Sequence, residues 1–182
     1  TVYGDYDADG VTSTVVLVES LRMFGANVDW YVPERLSEGY GLHMAAIDRL
    51  AERGTQLLLT VVCGTSNWKE ITHAKSLNID TLVLDHHHEP EQLPPAVALI
   101  NPVFDAETYP FRFNASAGVA FTLVRALIAA TRNGETLSLT LTPGWEKWLL
   151  DLVAISTVAD MMPLVGENRV LVSFGLRVLR KT

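Results

Sequence analysis

The segment GDYDADG, residues 4–10, decides how the fold of this chain is interpreted. It follows a short apolar run at residues 2–3 and precedes a long stretch with helical spacing, so it marks the end of a strand and the approach of a helix. Open α/β sheets bind their ligands at this carboxyl edge. Three carboxylates at alternate positions repel one another, and an extended backbone would aim them to one side. The segment therefore predicts a cation site.

Outward from this segment, short β-type runs alternate with longer helical runs, which indicates a parallel sheet covered by helices. Strands are expected over residues 2–3, 28–32, 56–62, 81–84 and 97–100. Helices are expected over residues 11–24, 42–53, 68–76, 115–131, 145–158 and 167–179, with a loop at 136–144. The predicted fold class is α/β: a five-stranded parallel sheet in the order 2-1-3-4-5, flanked by helices, with a helical C-terminal portion.

Composition and charge limit the classes of protein to which this chain can belong. The 182 residues are 48% hydrophobic and 19% charged, which is typical of one globular domain. One cysteine excludes an intramolecular disulfide, and no apolar run approaches the roughly 18 residues of a membrane span. The N-terminus has no signal-peptide pattern, so the expected compartment is the cytoplasm. A net charge of −7 argues against a generally basic nucleic-acid-binding surface and permits an acidic cleft that holds cations.

Two further polar features are candidates for the same site. The sequence LDHHHE at residues 84–89 follows the fourth predicted strand, and at most one or two of its histidines can face a single cation; a surface turn is the alternative. Asp160 ends an apolar run whose only other charged residue is Asp151. A buried carboxylate needs a hydrogen bond or a metal, with an N-cap or a salt bridge as the simpler explanations. On a straight helix Asp151 points to the opposite face.

Two well-known loops share the D-x-D-x-D-G pattern. The EF-hand loop needs a bidentate glutamate at its twelfth position, which here is Val16. The haloacid-dehalogenase-type phosphatases have a nucleophile loop similar to DADGV at residues 7–11, but they also need a lysine and paired acids further along the chain. No convincing pair of that kind is found in the sequence.

Taken in order along the chain, the motifs resemble those of the DHH phosphoesterase family. They are GDYDADG at 4–10, EGYGL at 38–42, CGTSN at 63–67, DHH at 85–87, NP at 101–102, AGVAF at 117–121, TVAD at 157–160 and GENR at 166–169. The resemblance implies a two-metal site for Mn²⁺ or Mg²⁺ that hydrolyses phosphoesters with a metal-activated water. It implies that the metal ligands are Asp7, Asp9, His86 and Asp160 and that His87 contacts the substrate phosphate. It also implies that Asp5 is a catalytic carboxylate, either an additional ligand or one that supports the ligands from behind.

The EGYGL and TVAD segments are most similar to the branch of the family that degrades single-stranded DNA from 5′ to 3′, so single-stranded DNA is the expected partner. A DHH phosphodiesterase of nanoRNA or cyclic dinucleotides is one alternative, and a non-catalytic binding module is another. The resemblance covers only the first domain of such enzymes. We therefore expect residues 1–182 to be a DHH domain, and a fragment without the DHHA1 and oligonucleotide-binding domains.

One position departs from the family's pattern. Where the family reads TVDCG, this chain reads TVVCG at residues 60–64, so Val62 replaces the metal-bridging aspartate. An isopropyl group coordinates nothing, and Cys63 is expected on the other face of the strand, where its soft thiolate is a poor substitute. We therefore expect weak metal binding, at one site built on Asp9, His86 and Asp160.

Overall fold

The computed structural model describes residues 1–132 and 142–181. Within them five parallel strands form one sheet in the order β2-β1-β3-β4-β5, which confirms the prediction. The strands are β1 (Val2–Tyr3), β2 (Trp30–Tyr31), β3 (Leu57–Val61), β4 (Asp80–Leu84) and β5 (Ala98–Ile100). The predicted second strand, over 28–32, is shortened to two residues because β1 offers it only the partners Val2 and Tyr3.

Six α-helices surround or extend the sheet within the described residues. They are α1 (Ala8–Met23), α2 (Met44–Glu52), α3 (Trp68–Ser76), α4 (Ser116–Arg132), α5 (Leu150–Ala159) and α6 (Gly166–Leu179). The stretch predicted as one helix over 145–158 is a 3₁₀ turn at Trp145–Leu149 followed by α5, and the two geometries are too similar over one turn for periodicity to separate them. Of the predicted loop at 136–144, residues 136–141 lie outside the described residues.

The sheet has an apolar core on each face. Alternate residues of a strand point to opposite faces, so Val2 packs with α1, α4 and α5, while Tyr3 packs with α2 and α3. Cover on both sides is what a parallel sheet requires. In the parts of the chain that the structure describes, no helix has both the length and the apolar character needed to cross a bilayer.

The strand register brings three chain segments to one edge of the sheet. Tyr3 pairs with Thr60, and Val61 pairs with Leu84, so β1, β3 and β4 end side by side. The segments that follow them are GDYDADG, VCG and DHH. The predicted crevice at the carboxyl ends of these strands is therefore present.

Candidate metal centre

Asp9 is a buried carboxylate at this edge that several elements hold in place. It lies in the first turn of α1, is 2% exposed, and accepts hydrogen bonds from the backbone N–H groups of Ser116 (3.0 Å) and Ala117 (3.1 Å) at the start of α4. The hydroxyls of Ser156 (2.6 Å) and Ser13 (3.2 Å) donate to the same group. Because the amino end of a helix favours negative charge, Asp9 caps α4 and also ties α5 to α1. Sequence analysis missed this capping role, and the AGVAF motif was its only signal.

His86 lies between Asp9 and Asp160. Its Nε2 is 3.5 Å from Oδ2 of Asp9, and its Nδ1 is 3.7 Å from Oδ2 of Asp160. The second distance is too long for a hydrogen bond, and the buried Nδ1 has no hydrogen-bond partner. One ligand atom from each of the three residues lies within 4.8 Å of the others. An imidazole that lies between two carboxylates without a hydrogen bond at Nδ1 is an arrangement that can accept a divalent cation.

Asp160 reaches the crevice from the carboxyl end of α5, as the sequence predicted. Burial raises the pKa of its carboxyl group; nearby His86 opposes that shift, and the negative charges of Asp9 and Asp7 add to it. Asp151 lies at the other end of α5 and accepts a hydrogen bond from its neighbour Leu152. The two aspartates of this segment are thus separated as expected.

Asp5 and Asp7 occupy different environments, and Asp9 already lies in α1, which begins at Ala8. That all three carboxylates of GDYDADG point to one side stays a prediction; the charges of Asp9 and Asp7 both act on Asp160. Asp7 is the exposed N-cap residue, and its Oδ1 accepts from the N–H of Gly10 at 2.7 Å. Asp5 is 2% exposed and its Oδ1 has no hydrogen-bond partner. Burial raises the pKa of Asp5, and the hydrogen bond from the backbone N–H of Tyr6 opposes part of that shift.

Asp85, the first residue of the DHH motif, organises the residues that follow it. Its buried carboxylate accepts from the N–H groups of Thr65 (3.1 Å), His86 (2.8 Å) and His87 (3.2 Å), and lies 2.7 Å from Nδ1 of His87. Asp85, His86 and His87 also offer ligand atoms within 4.8 Å of one another. Because the oxygens of Asp85 are already occupied, we assign this residue a bracing role. Sequence analysis missed it.

The contact with Asp85 shifts the pKa of His87. This hydrogen bond raises the pKa of His87, although burial opposes it. Burial alone would raise the pKa of Asp85, but the hydrogen bonds from His87, Thr65 and His86 outweigh it and lower that pKa. The imidazole side chain is 47% exposed, so it remains accessible from the crevice. His88 is exposed, as expected from three histidines that cannot share one direction.

Val62 adopts a backbone conformation that is unusual for valine. Its φ is +70°, and it is 3% exposed at the end of β3. Positive φ is uncommon for any residue with a side chain and is an outlier for a β-branched one, whereas aspartate and asparagine adopt it more readily. The neighbouring Cys63 packs in the apolar cluster on the other face of the sheet, as predicted, and burial raises the pKa of its thiol.

Comparison with known proteins gives a consistent result. A profile of the DHH family, N-terminal domain, matches residues 1–157. The single-stranded-DNA-specific exonuclease RecJ of Bacillus subtilis (strain 168) is 42% identical over 181 residues, which are 100% of this chain and 21% of that protein. This chain thus spans about a fifth of that relative's length.

Two solved structures resemble the whole described fold. The crystal structure of exonuclease RecJ bound to manganese has a TM-score of 0.81 and 38% identity, over 97% of this chain and 42% of that one. RecJ from Thermus thermophilus in complex with Mn²⁺ has a TM-score of 0.76 and 35% identity, over 97% of this chain and 24% of that one. With a family profile that covers most of its length, this chain belongs to the DHH family.

Proposed function

We propose that this chain is the metal-binding, phosphodiester-hydrolysing domain of an exonuclease that degrades single-stranded DNA from 5′ to 3′ in the cytoplasm. The observation that carries the proposal is the cluster of Asp9, His86 and Asp160, with ligand atoms within 4.8 Å of one another. Carboxylate oxygens with one imidazole suit Mn²⁺ or Mg²⁺. The RecJ relatives are named for single-stranded DNA, and two RecJ structures contain manganese, which supports both the substrate and the cofactor.

The proposed metal ligands are Asp9, His86 and Asp160, joined by Asp7, whose charge acts on Asp160. Unpartnered buried atoms at His86 Nδ1 and Asp5 Oδ1 fit a site that needs positive charge. When bound, a divalent cation polarises the phosphate and makes a water molecule more acidic. The role of the surrounding residues is to hold the ligand atoms in place, as the α4 amide groups do for Asp9.

Two further residues have roles in the proton and charge balance of hydrolysis. Asp5 accepts a proton from the attacking water at Oδ1, because a raised pKa brings a carboxylate closer to the range of a useful general base. His87, whose pKa is raised by its hydrogen bond with Asp85, donates a hydrogen bond to a phosphate oxygen and stabilises the charge that develops there. The role of His87 follows from the DHH motifs, and that of Asp5 from its burial and raised pKa.

Val62 limits how active this chain can be. Without a carboxylate at the end of β3, the cluster has ligands for one cation, and two cations would repel each other without a shared anion. This residue is also the specific observation that favours the second candidate function, a non-catalytic binding module. No comparable observation favours hydrolysis of nanoRNA or cyclic dinucleotides.

The decisive experiment compares the natural chain with Val62→Asp and Val62→Asn. Mn²⁺ stoichiometry is measured by calorimetry, and degradation of 5′-phosphorylated single-stranded DNA is measured with the protein that carries this chain. Val62→Asp should gain a second Mn²⁺ and a rate increase on the order of 10² or more. Val62→Asn is the matched control, because it relieves the backbone at position 62 without adding a charge.

The outcomes separate the candidate functions. Equal Mn²⁺ stoichiometry and equal rates in all three proteins would show that position 62 is not a ligand position. Binding of DNA without Mn²⁺ uptake, even in Val62→Asp, would establish the non-catalytic module instead. Faster hydrolysis of dinucleotides than of long single strands would move the substrate to the small-nucleotide branch of the family.

A further inference from the structure

The loop over residues 34–43, between β2 and α2, brings Tyr40 to the crevice. Tyr40 is 51% exposed, yet its hydroxyl donates to the carbonyl of Val62 at 2.8 Å and lies 3.4 Å from Nδ1 of His87. The two ring centroids are 5.8 Å apart. One side chain of this loop therefore contacts both the end of β3 and the imidazole proposed to act on the phosphate.

Tyr40 makes the longer of the two contacts at Nδ1 of His87. Nδ1 of His87 lies closer to Oδ1 of Asp85, at 2.7 Å, and that carboxylate accepts the hydrogen bond from Nδ1–H. The hydroxyl hydrogen of Tyr40 is directed to the Val62 carbonyl. Tyr40 and Asp85 thus both contact the imidazole at Nδ1, Asp85 by a hydrogen bond and Tyr40 by a longer contact.

The local backbone does not by itself hold Tyr40 in this place. Gly39 and Gly41 flank it with φ values of +81° and +95°. Glycine populates this region without steric cost and retains wide conformational freedom, so the two residues permit many positions for the side chain between them. The Gly41 carbonyl accepts from the hydroxyl of Tyr3 (3.3 Å) and the Gly39 carbonyl lies 3.2 Å from Nε2 of His43, while the start of the loop is held by other contacts.

Glu38 provides those contacts. Its Oε1 accepts from the hydroxyl of Tyr31 on β2 and from Nη2 of Arg49 on α2 (2.9 Å), and its Oε2 accepts from the N–H of Glu34 (2.9 Å). Arg49 also donates to the Tyr31 hydroxyl at 2.7 Å. The hydrogen bond from Tyr31, followed by those from Glu34 and Arg49, lowers the pKa of Glu38. A single carboxylate thus ties β2, α2 and the loop together two residues before Tyr40.

We infer that Glu38 and Arg49 are positioning residues of this site: they anchor the loop so that Tyr40 pins the Val62 carbonyl and orients His87. Neither residue belongs to a group of potential metal ligands among the described residues. The inference rests on the proposed function, because it assumes that the orientation of His87 matters for the phosphate. The Glu38–Arg49 ion pair, which is a half-exposed contact, then has the role of anchoring the loop.

The first test observes His87 without any need for activity. Imidazole signals of histidine-labelled protein are recorded by NMR at fixed pH and without metal, for Glu38→Ala, Arg49→Lys and Tyr40→Phe. The matched control is Arg53→Ala, which breaks the neighbouring, more exposed ion pair with Asp29 at 3.9 Å. Glu38→Ala and Tyr40→Phe should shift or broaden the His87 signals alike, Arg49→Lys should do so partly, and Arg53→Ala should leave them unchanged.

The second test uses the same variants in the Val62→Asp protein. Misplacing a group that stabilises the transition state lowers kcat, so Glu38→Ala should lower kcat on single-stranded DNA about tenfold with KM within about twofold. Arg49→Lys, the conservative change, should lower kcat much less than Glu38→Ala does. A purely structural role would instead change thermal stability and leave kcat unchanged.

The two tests fail separately. If Val62→Asp takes up no Mn²⁺, the proposed function fails while the NMR comparison remains valid. Unchanged His87 signals in Glu38→Ala and Tyr40→Phe, or equal shifts in Arg53→Ala, would overturn the positioning role. If Glu38→Ala does not fold, the conservative variants Tyr40→Phe and Arg49→Lys test the positioning role in its place.

Discussion

The ends of β3 and β4 lie side by side, and they differ in how well the side chain suits the backbone. After Leu84 the chain turns through Asp85, whose carboxylate accepts hydrogen bonds from three backbone N–H groups and contacts the His87 ring. After Val61 it turns through Val62, which has a positive φ and a side chain without any polar atom. The first turn is stabilised by its own residue. The second is held by its neighbours, through Leu84 and Tyr40.

The largest effect should come from removing the bracing carboxylate. Asp85→Ala leaves buried N–H groups without an acceptor, so we expect the free energy of unfolding to fall by roughly 3–5 kcal/mol. Urea denaturation measures this change. Asp85→Asn, which keeps a neutral acceptor oxygen, should lose about half as much. A loss below about 1 kcal/mol for Asp85→Ala would contradict the bracing role.

The last residue of β3, Val61, and the valine that follows it, Val62, provide the most direct comparison. Val61 and Val62 are 0% and 3% exposed, but only Val62 has a positive φ. Val61→Asn should cost about 3–4 kcal/mol, since it buries an amide in an apolar place. Val62→Asn should cost at least about 1 kcal/mol less, because asparagine tolerates this conformation. Equal losses in denaturation experiments would show that Val62 is not strained.

A smaller effect of the opposite sign is expected at Asp5. Its raised pKa means that this carboxyl stabilises the fold below the unfolded pKa of about 3.9 and loses that contribution as the pH rises through the native pKa. Asp5→Asn should therefore raise the melting temperature of metal-free protein at pH 7, by about 2–4 °C for roughly 1 kcal/mol. The gain should vanish near pH 4. Asp7→Asn, which retains an N-cap residue, is the control and should change little.

The smallest effect should be the pH dependence of the pair Asp85 and His87. The raised pKa of His87 gives a stabilisation that is present below about pH 6.5 and lost as the pH rises through the native pKa. The lowered pKa of Asp85 gives a second stabilisation, which is present above the unfolded pKa of about 4 and is lost as the pH falls through the native pKa. The melting-temperature difference between the natural protein and His87→Gln should therefore be largest between these limits, while exposed His88→Gln should show no such window.

Local sequence predicted most of the fold because alternation, helical spacing and turn residues act over a few positions. The strand order and the three segments at the sheet edge followed from the order of the motifs. The errors have two causes: β2 is short because its partner β1 is short, and α1 starts early because the adjacent Asp7 side chain caps it. Periodicity does not report either constraint.

The sequence by itself determined that this chain has the DHH motifs, the acidic and histidine residues of a cation site, and no carboxylate at position 62. Only the tertiary structure decided that Asp9 is held by Ser116 and Ser156, which lie 107 and 147 residues away. It alone decided that Val62 has a positive φ, against the preference of valine. The physical reason is range: propensities and motifs express contacts with near neighbours, whereas these contacts form when helices and strands from the whole chain pack at one edge.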